Sequence, residues 1–70
     1  MLNKIEILEV KNIGANTVIV VFAFHKDNTQ EIINIKLEND IITKVDKNNI
    51  EISKDKYKTY NKLIDIFSEL

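Results

Sequence analysis

The chain contains no cysteine, no proline and no arginine, and a single glycine and a single histidine. Without cysteine there are neither disulfides nor thiolate metal sites. A lone histidine, His25, cannot make an ordinary zinc site. One glycine cannot build a phosphate-cradling loop, and that residue, Gly14, is where a positive φ is expected, in the connection Lys11–Asn16. Arginine, the usual reader of base edges, is missing. A net charge of −1 leaves no field strong enough to draw in nucleic acid or an anionic membrane. The longest apolar run, Val18–Phe24, is seven residues, far short of the ~20 that a spanning helix needs. The opening Met1-Leu2-Asn3-Lys4 leads into charged residues rather than a hydrophobic signal region, so a cytoplasmic location is expected. No cofactor, no metal, no membrane and no small-molecule substrate is expected.

What is present describes one small globular domain over residues 1–70, with 44% hydrophobic and 30% charged residues. A chain of this length buries only ~60% of its unfolded surface, and its total stability should be roughly 4–10 kcal/mol. All ten basic residues are lysine, while Ile and Asn abound. Lys, Asn and Ile have A/T-rich codons, which points to a low-GC bacterium or its phage. It also allows a lysine here to reflect codon usage rather than selection for charge.

Apolar alternation predicts an antiparallel β-meander of four to five strands, followed by one amphipathic helix on one face: an α+β, two-layer domain. Thr17–Lys26 and Thr29–Glu38 are rich in β-branched and aromatic residues, and Asp27-Asn28 suits a two-residue primed turn. That turn sets Phe22 opposite Ile33, Val20 opposite Ile35 and Val18 opposite Leu37, one continuous apolar face. The reverse face pairs Ala23 with Ile32, Val21 with Asn34 and Ile19 with Lys36. A one-residue slip would oppose Asn34 and Lys36 to the Val/Phe row. A three-residue loop at Glu38-Asn39-Asp40 sets Leu37 opposite Ile41, Ile35 opposite Thr43 and Ile33 opposite Val45. A turn at Lys47-Asn48 then sets Ile50 opposite Val45, Ile52 opposite Thr43 and Lys44 opposite Glu51. The first strand, Leu2–Val10, changes phase. Either Ile5 and Ile7 face the core while Leu8 and Val10 lie on the reverse, or a β-bulge near Ile7-Leu8 turns both pairs inward.

From Ser53 or Asp55, either of which could cap, the period becomes helical. Tyr57, Tyr60, Leu63, Ile64, Phe67 and Leu70 form one stripe, expected to cover Val18, Val20, Phe22, Ile33, Ile35, Leu37, Val45, Ile50 and Ile52.

No constellation of reactive residues stands out, and no enzyme is expected. His25 lacks an obvious nucleophile, since Ser53 sits at a cap and Ser68 in the last helical turn; it reads as a surface or strand-end residue. Glu6 and Glu9, three apart on a strand, should point to opposite faces. Glu38 and Asp40 are turn acids.

Two surfaces stand out. Lys54, Lys56, Lys58 and Lys62 interleave with Tyr57 and Tyr60, as in patches that bind polyanions and stack bases; both tyrosines, however, lie on the core stripe, so any nucleic-acid contact should be weak. On the reverse sheet face, Ile19, Val21, Ala23 and Ile32, with Leu8, point away from the helix, and contiguous apolar patches mark interaction sites. Shielding by Ile13 and its loop, or by the stems of Lys36, Lys44 and Glu51, is the structural alternative. The expectation is a non-catalytic protein-binding module, in concrete form a phage or mobile-element inhibitor that blocks a host defence protein. The alternatives are a self-associating accessory protein with two sheets back to back, and a weak nucleic-acid binder through Lys54–Lys62.

Overall fold

The segments richest in β-branched and aromatic residues fold into the central hairpin. In the computed structural model, which describes residues 4–69, β2 (Thr17–Lys26) and β3 (Thr29–Glu38) pair without interruption from Thr17↔Glu38 to Lys26↔Thr29. The pairs Val18↔Leu37, Val20↔Ile35 and Phe22↔Ile33 are those the alternation predicts. Asp27 takes φ 55° at the first turn position, as a primed turn requires, and the Thr29 hydroxyl donates to the Lys26 carbonyl at 2.7 Å. Around this hairpin β1 (Lys4–Asn12), β4 (Ile41–Lys47) and the short β5 (Ile50–Glu51) complete an antiparallel meander in the order β1-β2-β3-β4-β5. Leu2 of the predicted first strand and Leu70 of the predicted stripe lie outside the described residues.

Both later turns differ from the predicted ones, for one reason. Asn39 and Asp40 have φ 53° and 65°, and Asn48 and Asn49 have φ 50° and 67°. Asn and Asp tolerate the left-handed region, so each pair closes a two-residue turn. The three-residue loop at Glu38-Asn39-Asp40 therefore does not form; Glu38 opposes Ile41 and Leu37 opposes Ile42. A two-residue turn alone would set Ile35 against Lys44. An extra residue in β4, Thr43, absorbs the mismatch: Lys36 opposes Lys44 and Ile35 opposes Val45. Likewise Lys47 opposes Ile50 and Asp46 opposes Glu51, so the predicted Lys44–Glu51 pairing is replaced. Ile52 donates its N–H to the Val45 carbonyl at 2.8 Å and joins the core in place of Ile50, which is exposed. Gly14 has no positive φ; the asparagines and aspartates take those positions instead.

In β1 a bulge forms, as the second alternative requires, but it brings only Val10 to the helix side beside Ile5 and Ile7; Leu8 does not turn inward and is exposed. The register shifts between Ile7↔Phe22 and Glu9↔Val21, leaving Leu8 as the extra residue. Ile5, Ile7 and Val10 consequently share the helix-side face, opposite Phe24, Phe22 and Val20.

The last layer is a 3-10 segment, Lys54–Tyr60, running into α1, Asn61–Ser68. A single α-helix was the simpler expectation. Side chains three apart eclipse in a 3-10 helix, so this geometry brings Tyr57 and Tyr60 down on one line, which α1 continues with Leu63. Ser53 occupies the N-cap position without a side-chain hydrogen bond. Leu63 closes a core of Val20, Phe22, Ile33, Ile35, Leu37 and Val45, flanked by Tyr57, Tyr60, Ile64 and Phe67. Each such buried side chain contributes about 1.5–3 kcal/mol. Among the described residues the buried set is entirely apolar. The core therefore sits under β2–β4, and β1 hangs at its margin.

Candidate interaction surfaces

The strand registers arrange the reverse face in rows that run across the sheet. One row is Lys11, Ile19, Lys36, Lys44; the next is Glu9, Val21, Asn34, Asp46, Glu51; the third is Glu6, Ala23, Ile32. The first is basic and the second acidic. In both, like charges stand directly opposite each other, Lys36 against Lys44 and Asp46 against Glu51, an arrangement that costs an isolated sheet stability. Lys11, Lys36, Lys44, Asn34 and Asp46 ring a hollow of about 300 Å³ floored by Ile19.

The apolar residues of this face are less open than the sequence implies. Ala23 is 0% exposed and can offer nothing to a partner, while Ile19, Val21 and Ile32 are half-buried. Lysine stems around Ile19 provide part of that cover. Ile13 does not act as a lid, being itself 54% exposed. Leu8, displaced by its bulge, is 49% exposed.

The bulge also overturns the separation of Glu6 and Glu9. The extra residue between them restores phase, so both register on the reverse face, against Ala23 and Val21. Glu6 Oε1 lies 3.2 Å from His25 Nε2, pairing the only histidine with a carboxylate. No serine or threonine hydroxyl is hydrogen-bonded to this pair among the described residues. Among the described residues no group of three or more His, Cys, Asp or Glu could hold a metal ion. No described helix is long and apolar enough to cross a membrane.

The helix-side face is covered only in part. Among the described residues, four of the seven exposed large apolar side chains lie on β1 and the loop after it: Ile5 (36%) and Val10 (44%) on the helix side, Leu8 at the bulge and Ile13 in the loop. From Ile5, the one residue of this set that reaches it, a groove of about 290 Å³ runs across β2 and β3 to β4 beside the helical layer, floored by Ile5, Phe24, Ile33 and Leu63. At its mouth Lys47 Nζ meets Glu31 Oε2 at 2.9 Å. The hydrogen bond and charge of Glu31 raise the Lys47 pKa above the usual lysine value, against a small opposing effect of burial, and Tyr60 adds a minor push in the same direction. The groove escaped sequence reasoning, because it depends on how far the helical layer reaches across the sheet.

Lys54, Lys56, Lys58 and Lys62 are all exposed, and Tyr57 and Tyr60 pack towards the sheet. Three residues per turn place Lys56 and Lys58 on opposite sides of the tyrosine line, so these lysines spread round the segment.

Compared with known proteins, the chain matches no family model, and no curated protein and no solved structure is significantly similar to it.

Proposed function

We propose that the chain is a non-catalytic protein-binding module that engages its partner along the β1 edge. One observation carries this reading: Ile5, Leu8 and Val10 of β1, whose outer edge is unpaired, and Ile13 in the loop that follows are exposed apolar side chains outside the buried core that the helical layer closes. Exposed apolar residues that gather in one place, rather than scatter, favour a binding surface. The bulge at Leu8 and the charges of Lys4, Glu6, Glu9 and Lys11 guard the edge against indiscriminate strand addition. A partner that buries side chains in the adjoining groove fits this better than one that only extends the sheet. Composition favours a product of a low-GC bacterium or its phage, and a host protein, such as a component of a defence system, is the partner in the concrete form of the proposal.

The test places a photo-crosslinking amino acid at Leu8 or Val10 and, as a control, at Lys56 on the far layer, in a low-GC host. A discrete protein adduct at the two β1 positions, absent from the control, is expected, and Val10→Glu should abolish capture at Leu8 without unfolding the domain. Equal, diffuse labelling at all three positions would sink the proposal.

A further inference from the structure

We infer that the reverse sheet face is a self-complementary surface, built to meet a second copy of this chain back to back. This face lies opposite the helical layer, and its Lys36, Lys44, Asp46 and Glu51 charges, on β3 to β5, have no part in the binding role proposed for β1. Rows two residues apart along a strand are separated by about 7 Å. A two-fold axis lying between the sheets, across the strands and midway between the basic and acidic rows, lays each row on the other. Lys11 then meets the partner's Glu9, Ile19 meets the partner's Val21, Lys36 meets the partner's Asn34, and Lys44 meets the partner's Asp46. The two apolar residues fall at the centre, next to the hollow around Ile19, with charges outside them, the order found in protein interfaces.

The monomer supplies the reason for such an arrangement. Its registers hold Lys36 against Lys44 and Asp46 against Glu51, two repelling pairs where cross-strand neighbours ordinarily attract. Among the described residues, the monomer answers its rows only with the exposed contacts Lys36–Glu38 at 3.9 Å and Lys11–Glu9 at 3.6 Å. The two-fold superposition places a charge of opposite sign over each repelling pair. It also covers Ile19 and Val21, which the fold leaves half-buried with no layer above them. Aligned sheets pack about 10 Å apart and within about 30° of parallel, close enough for a lysine to span the gap. An isologous contact of this kind closes on itself. Foreign acidic or basic partners fit it less well, because a surface of one sign would repel one of the two rows.

Charge reversal decides the matter, read by sedimentation at low ionic strength with circular dichroism as the control for folding. The native chain should dimerise in the micromolar range and dissociate as salt rises. Lys44→Glu and Asp46→Lys should each weaken the dimer by roughly tenfold or more, since every broken contact occurs twice. The double variant Lys44→Glu/Asp46→Lys should recover most of the lost affinity. Asp46→Lys adds a second discrimination: it relieves the repulsion from Glu51 inside the monomer, so its thermal stability should hold or rise while its association falls. A native chain that stays monomeric at high micromolar concentration overturns the inference. So does a double variant no better than either single one, which would place any dimer contact elsewhere.

Discussion

The inner hairpin and the two strands that flank it solve the same problem differently. Between β2 and β3 ten residue pairs run without a break, because β2 is apolar on both faces from Val18 to Phe24, β3 alternates from Ile33 to Glu38, and a two-residue turn suffices to align them. β1 and β4 each carry one residue too many for their apolar pattern, and each expels it as a bulge, Leu8 in one and Thr43 in the other. The flanking strands are thus in register with the core despite their sequences being out of phase with it. A sheet can tolerate a one-residue error where a neighbour lies on only one side or the next strand is short; in its centre the same error would turn a whole face over.

Deleting single residues breaks this comparison most sharply. Removing Val21 from β2 should unfold the domain, since every side chain beyond it changes face. Removing Thr43 should leave a straight ladder with Leu37↔Ile42, Lys36↔Lys44 and Ile35↔Val45 intact. The cost should be no more than about 1 kcal/mol, including the loss of the weak Thr43 hydroxyl bond to the Lys36 carbonyl at 3.4 Å. Deleting Leu8 should be equally mild. Chemical denaturation measures all three, and a deletion of Thr43 as damaging as that of Val21 would show that the bulge is structural in its own right. Substitution gives the next largest contrast. Ile35→Ala opens a cavity under fully buried neighbours and should cost about 2–5 kcal/mol, a large share of the total. Val10→Ala, at the exposed margin, should cost less than about 1 kcal/mol.

The same division decides what could be read from the sequence. The hairpin register, the layer order and most of the core were legible because the Asp27-Asn28 turn and the alternation of β3 leave one pairing that hides Val20, Phe22, Ile33 and Ile35 together. The β3–β4 and β4–β5 registers were not, because apolar alternation constrains a strand only up to a bulge, and a bulge can trade one turn length for another. Asn39-Asp40 and Asn48-Asn49 held the missing information: two adjacent residues that both accept positive φ signal a two-residue turn even when it misaligns the next strand. In β1 the phase change near Ile7-Leu8 left a bulge and a straight strand as alternatives, and did not disclose the consequence for Glu6, Glu9 and His25. The charge rows of the reverse face emerge only once those three registers are known.

A smaller effect contrasts a turn that demands its residues with a loop that does not. Asn48 adopts φ 50° and uses both its backbone N–H and its side-chain carbonyl on Ile32, accepting from the Ile32 N–H at 2.9 Å. Asn48→Ala should cost about 1–2 kcal/mol through strain and the lost acceptor, while Asn48→Gly, which keeps the conformation, should cost about half as much. Gly14→Ala should be neutral or stabilising by about 0.4–1 kcal/mol. Its backbone avoids positive φ, and an added methyl would meet only Thr17 at 3.7 Å, an ordinary contact. Thermal unfolding ranks the three variants, and a Gly14→Ala variant less stable than Asn48→Ala would reverse the assignment of which connection is conformationally demanding.

The smallest expected effect concerns Lys47 at the mouth of the groove, where β4 leaves the core. Glu31 holds the folded-state pKa of Lys47 above its value in the unfolded chain. Stability from this pair is therefore fully present below the ordinary lysine range and is lost as pH rises through the raised value. The pair is well exposed, at 39% and 31% of the two side chains, so water and salt screen most of that contribution. Glu31→Gln should return the Lys47 titration, followed by NMR at the side-chain amine, to the ordinary lysine range and flatten the alkaline limb of the stability profile, with little change at neutral pH. If Lys47 titrated at the same pH in both proteins, the 2.9 Å contact would be one conformer among several at the rim. The groove would then open more widely to a partner side chain than the static geometry allows, and Lys47 would be free to pair with an acid brought by that partner.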